Sequence, residues 1–322
     1  MTGSVVGQVQ ALYRLAGITE IGVSRHSLKE RAREAGARTS RDIAALCSVT
    51  SFGTLDKYRQ IAILFGRYVK EKLDRRWDIE MTTAENVRDF LRHCIDRGVA
   101  LRTWKTYAAG LLKLQVALNR YAARTGSGHS YEFEDVIDSL RSEAKDELED
   151  DRETREYTDP VALISSVEDA LFRVTAAVQH ESGARIREAA LIRESQLLGT
   201  RMDDVTGKMM GRIFLPSVST KGGRTREISV SLATYKNLCE ILQLKGECKI
   251  DHDQYRRSLK KAAEVTAQRY TGSHGLRFNF AQRRLAECRA SGMGEVAALH
   301  RVAVEMGHSR PGITLSYTGR IK

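Results

Sequence analysis

Proline interrupts this chain only three times in 322 residues, at Pro160, Pro216 and Pro311. Proline lacks a backbone N–H and clashes with the preceding helical turn, so its scarcity favours a helix-rich fold. The apolar pattern agrees. Leu55, Tyr58, Ile61, Leu64, Phe65, Tyr68, Val69 and Leu73 recur at helical spacing and predict a helix over 54–74. Thr82 and Glu85 read as a capping box opening a helix with Val87, Phe90, Leu91, Cys94 and Ile95 inward, stopped by Gly98. A third helix is predicted over 101–123, with Trp104, Tyr107, Leu111, Leu112, Leu114 and Leu118 as its apolar set. Before these, residues 1–50 read as short helices, one over 25–35 capped by Ser24 and one over 41–47 capped by Ser40.

Asp159-Pro160 begins a second domain, with Asp159 as N-cap and Pro160 in the first turn of a helix over 161–180. A further helix is predicted over 186–193. Alternation then takes over: Ile213, Leu215 and Val218 precede Lys221-Gly222-Gly223, and Ile228 and Val230 follow it, which reads as a hairpin with a glycine-rich turn. Helices resume over 232–243, 252–268, 275–290 and 295–306.

Charge divides the chain in the same way. Residues 1–130 hold 22 Lys+Arg against 12 Asp+Glu, residues 131–159 hold 4 against 13, and residues 160–322 hold 26 against 16. Two basic stretches thus flank an acidic connector, expected to hold a helix over 133–149 and to lie away from any polyanion. The net charge of +11 makes a nucleic acid the first expected partner. Residues 101–130 carry five basic residues and no acidic one, so Arg102, Thr103, Lys105 and Thr106 at the helix start are candidate phosphate contacts. The five cysteines form no C-x-x-C pair, which argues against a zinc ribbon or disulfide framework and for reduced thiols in the cytoplasm. Met1–Gln10 lack the pattern of a signal peptide, and no apolar run approaches a membrane span.

Four segments of the second domain carry chemistry-bearing residues. Arg185 stands at a turn-to-helix junction in Ser182-Gly183-Ala184-Arg185-Ile186-Arg187-Glu188, and Lys221 at a hairpin tip in Thr220-Lys221-Gly222-Gly223-Arg224. His274 and Arg277 share one face of a helix start. Met306-Gly307-His308 precedes Tyr317 by nine residues, counted from His308. Each motif alone is common; the order and spacing of all four are far more specific. Together they resemble the tyrosine recombinases, the phage integrase and Xer superfamily, whose members typically show G-x-R-x-x-E, a hairpin lysine, H-x-x-R, L-G-H and a C-terminal tyrosine. The catalytic resemblance covers about 160–322. Residues 51–125 resemble the family's core-binding domain, and 1–50 have no counterpart.

The resemblance implies a mainly α fold with a small β-sheet. Residues 1–50 would be a helical N-terminal extension, 51–130 a helical core-binding (SAM-like) DNA-binding domain, 131–158 an acidic helix and linker, and 159–322 an α+β catalytic domain, together forming a C-shaped clamp on DNA. It implies Tyr317 as the nucleophile that forms a 3′-phosphotyrosyl link, Arg185 and Arg277 as phosphate clamps, and His308 as a further donor. His274 would be the proton acceptor and Lys221 the general acid, with Arg224 beside it on DNA. No metal or other cofactor is implied. The expected partners are double-stranded recombination sites and further copies of the chain, a dimer per site and a tetramer in synapsis, in the cytoplasm at the nucleoid. Only five residues, Thr318 to Lys322, follow Tyr317, where many relatives carry a helix that docks on the neighbouring protomer. Either another segment couples the protomers, with 1–50 the candidate, or the chain given is shorter than the whole protein.

Each residue also has an ordinary reading. Arg185 can pair with Glu181 or Glu188 on a helix surface, and Arg187 is its rival. Lys221 competes with Lys208. His274 can cap a helix and His308 end one, and Tyr317 can be a packed aromatic; Tyr255 and Tyr270 are other tyrosines of this domain, but neither follows the Gly-His segment. Glu188 reads as a buttress of the site. Two other functions compete: a type IB topoisomerase, with similar chemistry but rejoining the same strand, and a catalytically silent DNA-binding architectural protein.

Overall fold

The computed structural model describes residues 1, 3–149, 155–220, 225–308 and 312–318. The chain divides into two units, Met1–Asp151 and Arg152–Lys322. Among the described residues no helix is long and apolar enough to cross a membrane.

The first unit is helical. Helices α1 (Val5–Leu15), α2 (Arg25–Glu34) and α3 (Ser40–Leu46) precede α4 (Phe52–Tyr68), whose last turn widens into a π-helical stretch at Val69–Leu73. Ser24 caps α2 as expected, but α3 is capped by Thr39 with Asp42 in a reciprocal box, one residue before the predicted Ser40. Helix α5 (Ala84–Asp96) instead starts one residue late, because Thr83 pairs with Asn86 while the hydroxyl of Thr82 is buried and donates to the Ile79 carbonyl at 2.8 Å. Helix α6 (Leu101–Thr125) ends at Gly126, whose φ of 68° suits glycine. Helix α7 (Glu134–Glu147) closes the unit. One core joins α1 and α4 to α7: Val9 and Leu12 of α1, Phe65 of α4, Phe90 of α5, Trp104 and Leu111 of α6 and Ile137 of α7 are in the same buried cluster. The indole of Trp104 donates to the Leu91 carbonyl at 3.1 Å, so its one polar group is met inside the core.

The acidic stretch is therefore an element of this unit. Val136, Ile137, Leu140 and Ala144 of α7 are buried, and its acidic face pairs with basic residues of the same unit: Arg41 with Glu134 and Asp138, and Arg92 with Glu143. Three of the five basic residues of 101–130 also have local work. Lys113 donates to the Ala44 and Cys47 carbonyls at 2.6 and 3.0 Å, Arg120 to Leu46 at 3.0 Å, and Arg124 to Leu15. They satisfy the open carbonyls at the C-terminal ends of α3 and α1. Arg102 and Lys105 are exposed, whereas Thr103 and Thr106 are half-buried and the Thr106 hydroxyl donates back to the Arg102 carbonyl.

The second unit is α+β. Helix α8 (Pro160–Ser165) opens under Asp159, which accepts from the Ala162 N–H at 2.9 Å. The predicted single helix over 161–180 is two helices, because Asp169 caps a second start and α9 runs Ala170–Ser182. Helix α10 is four residues, Ile186–Ala189; the chain then extends into β1 (Leu191–Arg193), which buries Ile192, so the predicted helix over 186–193 stops early. Strands β2 (Leu197–Met202), β3 (Met209–Leu215) and β4 (Arg226–Ser231) form an antiparallel sheet in that order, with Ile213 opposite Ile228. Helix α11 (Leu232–Lys245) leads to β5 (Glu247–Lys249), the antiparallel partner of β1, and then to α12 (His252–Val265), α13 (Ser273–Ala290), α14 (Glu295–Glu305) and α15 (Gly312–Thr318). Strand β2 and helix α15 had no sequence expectation. Ile213, Leu215, Ile228 and Val230 pack with Val174 and Val178 of α9 and Leu238 of α11, while Phe280, Leu285, Val302, Met306 and Tyr317 form a separate cluster along α13.

Candidate active site

Helix α9 ends at Gly183 with φ of 64°, and a side chain there would meet the Phe280 ring at 2.5 Å. Only glycine lets the end of α9 close on α13 at this distance. Two residues on, Arg185 becomes the N-cap of α10. Its backbone N–H and its Nη1 both donate to the carboxylate of Glu188, each at 2.8 Å. The G-x-R-x-x-E spacing is thus a physical device: a carboxylate one turn into a helix accepts the N-cap N–H and holds the N-cap side chain. The Glu188 side chain is 1 % exposed and that of Arg185 is 20 % exposed. The rival Arg187 is exposed.

Arg277, in the second turn of α13, is 0 % exposed. Its guanidinium donates to the Gly183 carbonyl, to the Met306 carbonyl at 2.6 Å, and from Nε to the Tyr317 hydroxyl at 3.4 Å. Its Nη2 also lies 2.9 Å from His308 Nε2. Guanidinium only donates, so Nε2 is the acceptor and the His308 proton belongs on Nδ1. That tautomer fits the electrostatics. Burial, then Arg277, Arg185 and Arg226, push the His308 pKa down to about 4, so the ring is neutral near pH 7. Burial and the neighbouring Arg185 also lower Arg277, to about 10.

Tyr317, on α15, is 7 % exposed. Its ring centroid lies 4.7 Å from Phe278, 5.8 Å from His308 and 6.0 Å from His274, and 5.7 Å from Arg277 Cζ. His274 itself is exposed, one turn before Phe278. The structure therefore brings Arg185, His274, Arg277, His308 and Tyr317 together from four separate segments. Lys221 and Arg224 lie outside the described residues. The other tyrosines of the unit are elsewhere: Tyr255 is buried and donates to Gln179 at 2.7 Å, and Tyr270 packs at the edge of the same core as Tyr255.

One member of the cluster escaped sequence reasoning. Arg226, the first residue of β4, donates from Nη2 to Glu188 Oε2 at 2.5 Å and from Nη1 to the Glu305 carbonyl. Its only sequence signal is a charged residue where a strand enters the core. With it, the site holds three guanidinium groups and one carboxylate, Glu188, which Arg185 and Arg226 share while Arg277 bonds elsewhere. Gly307, with φ of 70°, completes the packing, since a Cβ there would sit 3.2 Å from Arg226 Nε and 3.5 Å from Arg185 Nη1. A local excess of cationic donors over carboxylates suits an anion with several oxygens. A cavity of about 580 Å³ lies elsewhere in this unit, between the sheet and α13 and α14. In its lining Arg284 pairs with Asp203, Glu287 and Glu305 and Arg301 with Asp204, Arg201 and Lys208 also line it, and none of Arg185, His274, Arg277, His308 and Tyr317 does.

No protein-family model matches the sequence, and no curated protein matches it either. Solved structures do. The chain is similar to the XerH site-specific recombinase bound to difH substrate in a pre-cleavage complex, at 14% identity over 99% of this chain and 93% of that one, with a TM-score of 0.62. It is similar to the Tn1549 transposon integrase in complex with transposon right end DNA, at 14% identity over 93% and 96% of the two chains, with a TM-score of 0.55. It is also similar to a lambda integrase dimer bound to a COC′ core site, at 15% identity over 93% and 98%, with a TM-score of 0.51. The chain has the tyrosine-recombinase fold.

Proposed function

We propose that this chain is a tyrosine-type site-specific DNA recombinase, cutting and rejoining strands through a 3′-phosphotyrosyl link on Tyr317. The observation that carries the reading is the convergence of Arg185, Arg277, His308 and Tyr317 on one point from α10, α13, the segment after α14, and α15. Three neighbours of the same fold are, by their descriptions, recombinases or integrases held with DNA.

The chemistry follows from charge. When the Tyr317 hydroxyl attacks a phosphodiester, the phosphorus passes through a five-coordinate state with added negative charge on its nonbridging oxygens. Fixed donors aimed at those oxygens lower the barrier. Arg185 and Arg277 supply forked donors and His308, neutral with Nδ1–H, supplies one more. A phenol of pKa about 10 needs a proton acceptor, and His274 beside the ring takes that role. Lys221 gives a proton to the departing 5′ oxygen. The 5′-hydroxyl of another strand then attacks the phosphotyrosine and releases Tyr317, conserving one phosphodiester throughout. In the described arrangement Tyr317 is buried beside Phe278 and Arg277, so attack on a duplex requires α15 to shift.

On this reading Arg102 and Lys105, with Thr103 and Thr106, meet phosphates from the first unit, and Arg224 does so from the hairpin. Strand exchange calls for a dimer on each site and a tetramer in synapsis, at the nucleoid. The test uses a nicked duplex built on the sequence that purified protein enriches from a randomised DNA pool. Wild type accumulates a covalent protein–DNA adduct on denaturing gels, and Tyr317→Phe forms none. Relaxation of supercoiled plasmid without strand exchange would instead place the chain with the type IB topoisomerases, and absence of any wild-type adduct would leave it an architectural DNA binder.

A further inference from the structure

We propose that Arg226 is a positioning residue of this site, holding Glu188 against Arg185 and tying the returning strand of the Lys221 hairpin to the helix end that presents His308. The inference rests on the proposed recombinase chemistry and adds a residue to it.

Three contacts carry it. Arg226 Nη2 donates to Glu188 Oε2, the same oxygen that accepts the Arg185 backbone N–H, while Glu188 Oε1 accepts Arg185 Nη1. The orientation of Arg185 therefore depends on a carboxylate that Arg226 holds from the other side. Arg226 Nη1 donates to the carbonyl of Glu305, the last residue of α14, three residues before His308. Arg226 opens β4, opposite Leu215 of β3, in the strand that follows Lys221 and Arg224. One guanidinium thus joins the hairpin, the Arg185 turn and the His308 segment. The side chain is 11 % exposed, and its Nε is buried without an acceptor among the described residues. Leaving a buried donor unmet is unfavourable, which argues that the position is set by what the two Nη groups reach. Lysine cannot replace this arrangement, because one Nζ cannot donate to Glu188 and to the Glu305 carbonyl from a planar fork.

A purely structural ion pair predicts a loss of stability and nothing else. A positioning role predicts a change in rate and in its pH dependence. Glu188 is buried, and Arg226 is the largest influence holding its carboxyl below the usual range, followed by the Arg185 N–H and guanidinium. The charged or titratable groups facing this cluster are Arg185 before α10, Arg226 on β4, Glu305 at the end of α14, His308 after α14 and, through Arg185, Arg277 on α13. Without Arg226 the largest influence that lowers Glu188 is gone, so Glu188 takes up a proton at higher pH and holds Arg185 less well.

The experiment measures single-turnover adduct formation by the full chain on the enriched nicked duplex, from pH 6 to pH 8, alongside DNA affinity and thermal unfolding. Arg226→Met is expected to slow adduct formation by about 10- to 100-fold near neutral pH, with DNA affinity within about threefold of wild type. Its rate should rise with pH more steeply than that of wild type, and Glu188→Gln in the same chain should remove that extra dependence. Arg226→Lys, which keeps the charge, should recover the wild-type pH profile but only part of the rate. Wild-type rate and pH profile in both Arg226 variants would overturn the positioning role. So would a rate loss in folded Arg226→Lys with full recovery of neither rate nor pH profile. Wild type forming no adduct would instead overturn the recombinase reading itself.

Discussion

The surroundings of His308 and His180 in the second unit oppose protonation, each ring being pushed down to about 4 by burial and then by a neighbouring arginine, Arg277 for His308 and Arg283 for His180. The sign of the effect on stability follows from linkage. Unfolded histidine titrates near 6.5, so between about pH 6.5 and 4 the unfolded chain binds protons that the folded chain does not. Stability of this unit should therefore fall as pH drops through that window. The depressed carboxylates, Glu188, Asp203, Asp204 and Asp251, contribute only below their ordinary values of 4.5 for Glu and 3.8 for Asp, so the histidines govern the range above. Urea unfolding at pH 7 and pH 5 checks this: the double variant His180→Gln, His308→Gln should show a flatter dependence than wild type, and an unchanged slope refutes it. Gly307 makes a second residue-scale case. Its φ of 70° and the 3.2 Å approach to Arg226 mean that Gly307→Ala costs about 1–3 kcal/mol in unfolding free energy and moves the arginine cluster. Legibility at this scale was uneven for a physical reason. Arg185 was singled out with a local partner, Glu188 three residues on, whereas Arg277, His308 and Tyr317, whose partners are distant in sequence, were singled out by the order of motifs that carries the resemblance. Arg226 was not, because its partners Glu188 and Glu305 lie 38 and 79 residues away in sequence.

Helix contacts show how much a single absent methyl group decides. Gly110 of α6 lies against Ile61 of α4, and a Cβ at Gly110 would meet Ile61 Cδ1 and Cγ2 at 2.7 Å and its Cβ at 3.0 Å. Alanine gains about 1 kcal/mol of helix propensity over glycine, but overpacking against a β-branched side chain near its backbone costs about 1–3 kcal/mol. The clash should win, so Gly110→Ala destabilises the first unit. Gly53, in the first turn of α4, has nothing within 4 Å of its virtual Cβ, so Gly53→Ala should be neutral to stabilising. Chemical denaturation separates the two, and the same sign for both would refute the packing argument. The elements themselves were legible where apolar spacing was long and regular, as in α4, α5 and α6. They were misjudged where a local polar choice decided the matter: Thr83 over Thr82, Asp169 restarting a helix after Ser165. They were missed where burial leaves no periodic trace. Strand β2 is exposed along most of its length, and α15 is seven residues.

The charge pattern along the whole molecule changes meaning once the fold is known. The acidic segment belongs to the first unit, so residues 1–151 hold 24 Lys+Arg against 22 Asp+Glu and residues 152–322 hold 28 against 19. The excess of +9 lies in the second unit and only +2 in the first. If the chain binds DNA as proposed, each phosphate neutralised releases counterions, and log affinity falls linearly with log salt. Most of that slope should therefore come from the second unit. The first unit should contribute through a few exposed residues, because Arg41 and Arg92 are paired with α7 and Lys113, Arg120 and Arg124 hold backbone carbonyls. Arg102 and Lys105 are the exposed exceptions at the start of α6. Affinity for the enriched duplex, measured across salt concentrations, should lose about 1 unit of slope for Arg102→Ala and about 1 for Lys105→Ala. Arg120→Gln should leave the slope unchanged and instead lower stability, since it opens the C-terminal end of α3. Equal slopes in all three variants would mean that the α6 face does not meet phosphate, and the first unit's part in binding would have to come from another face.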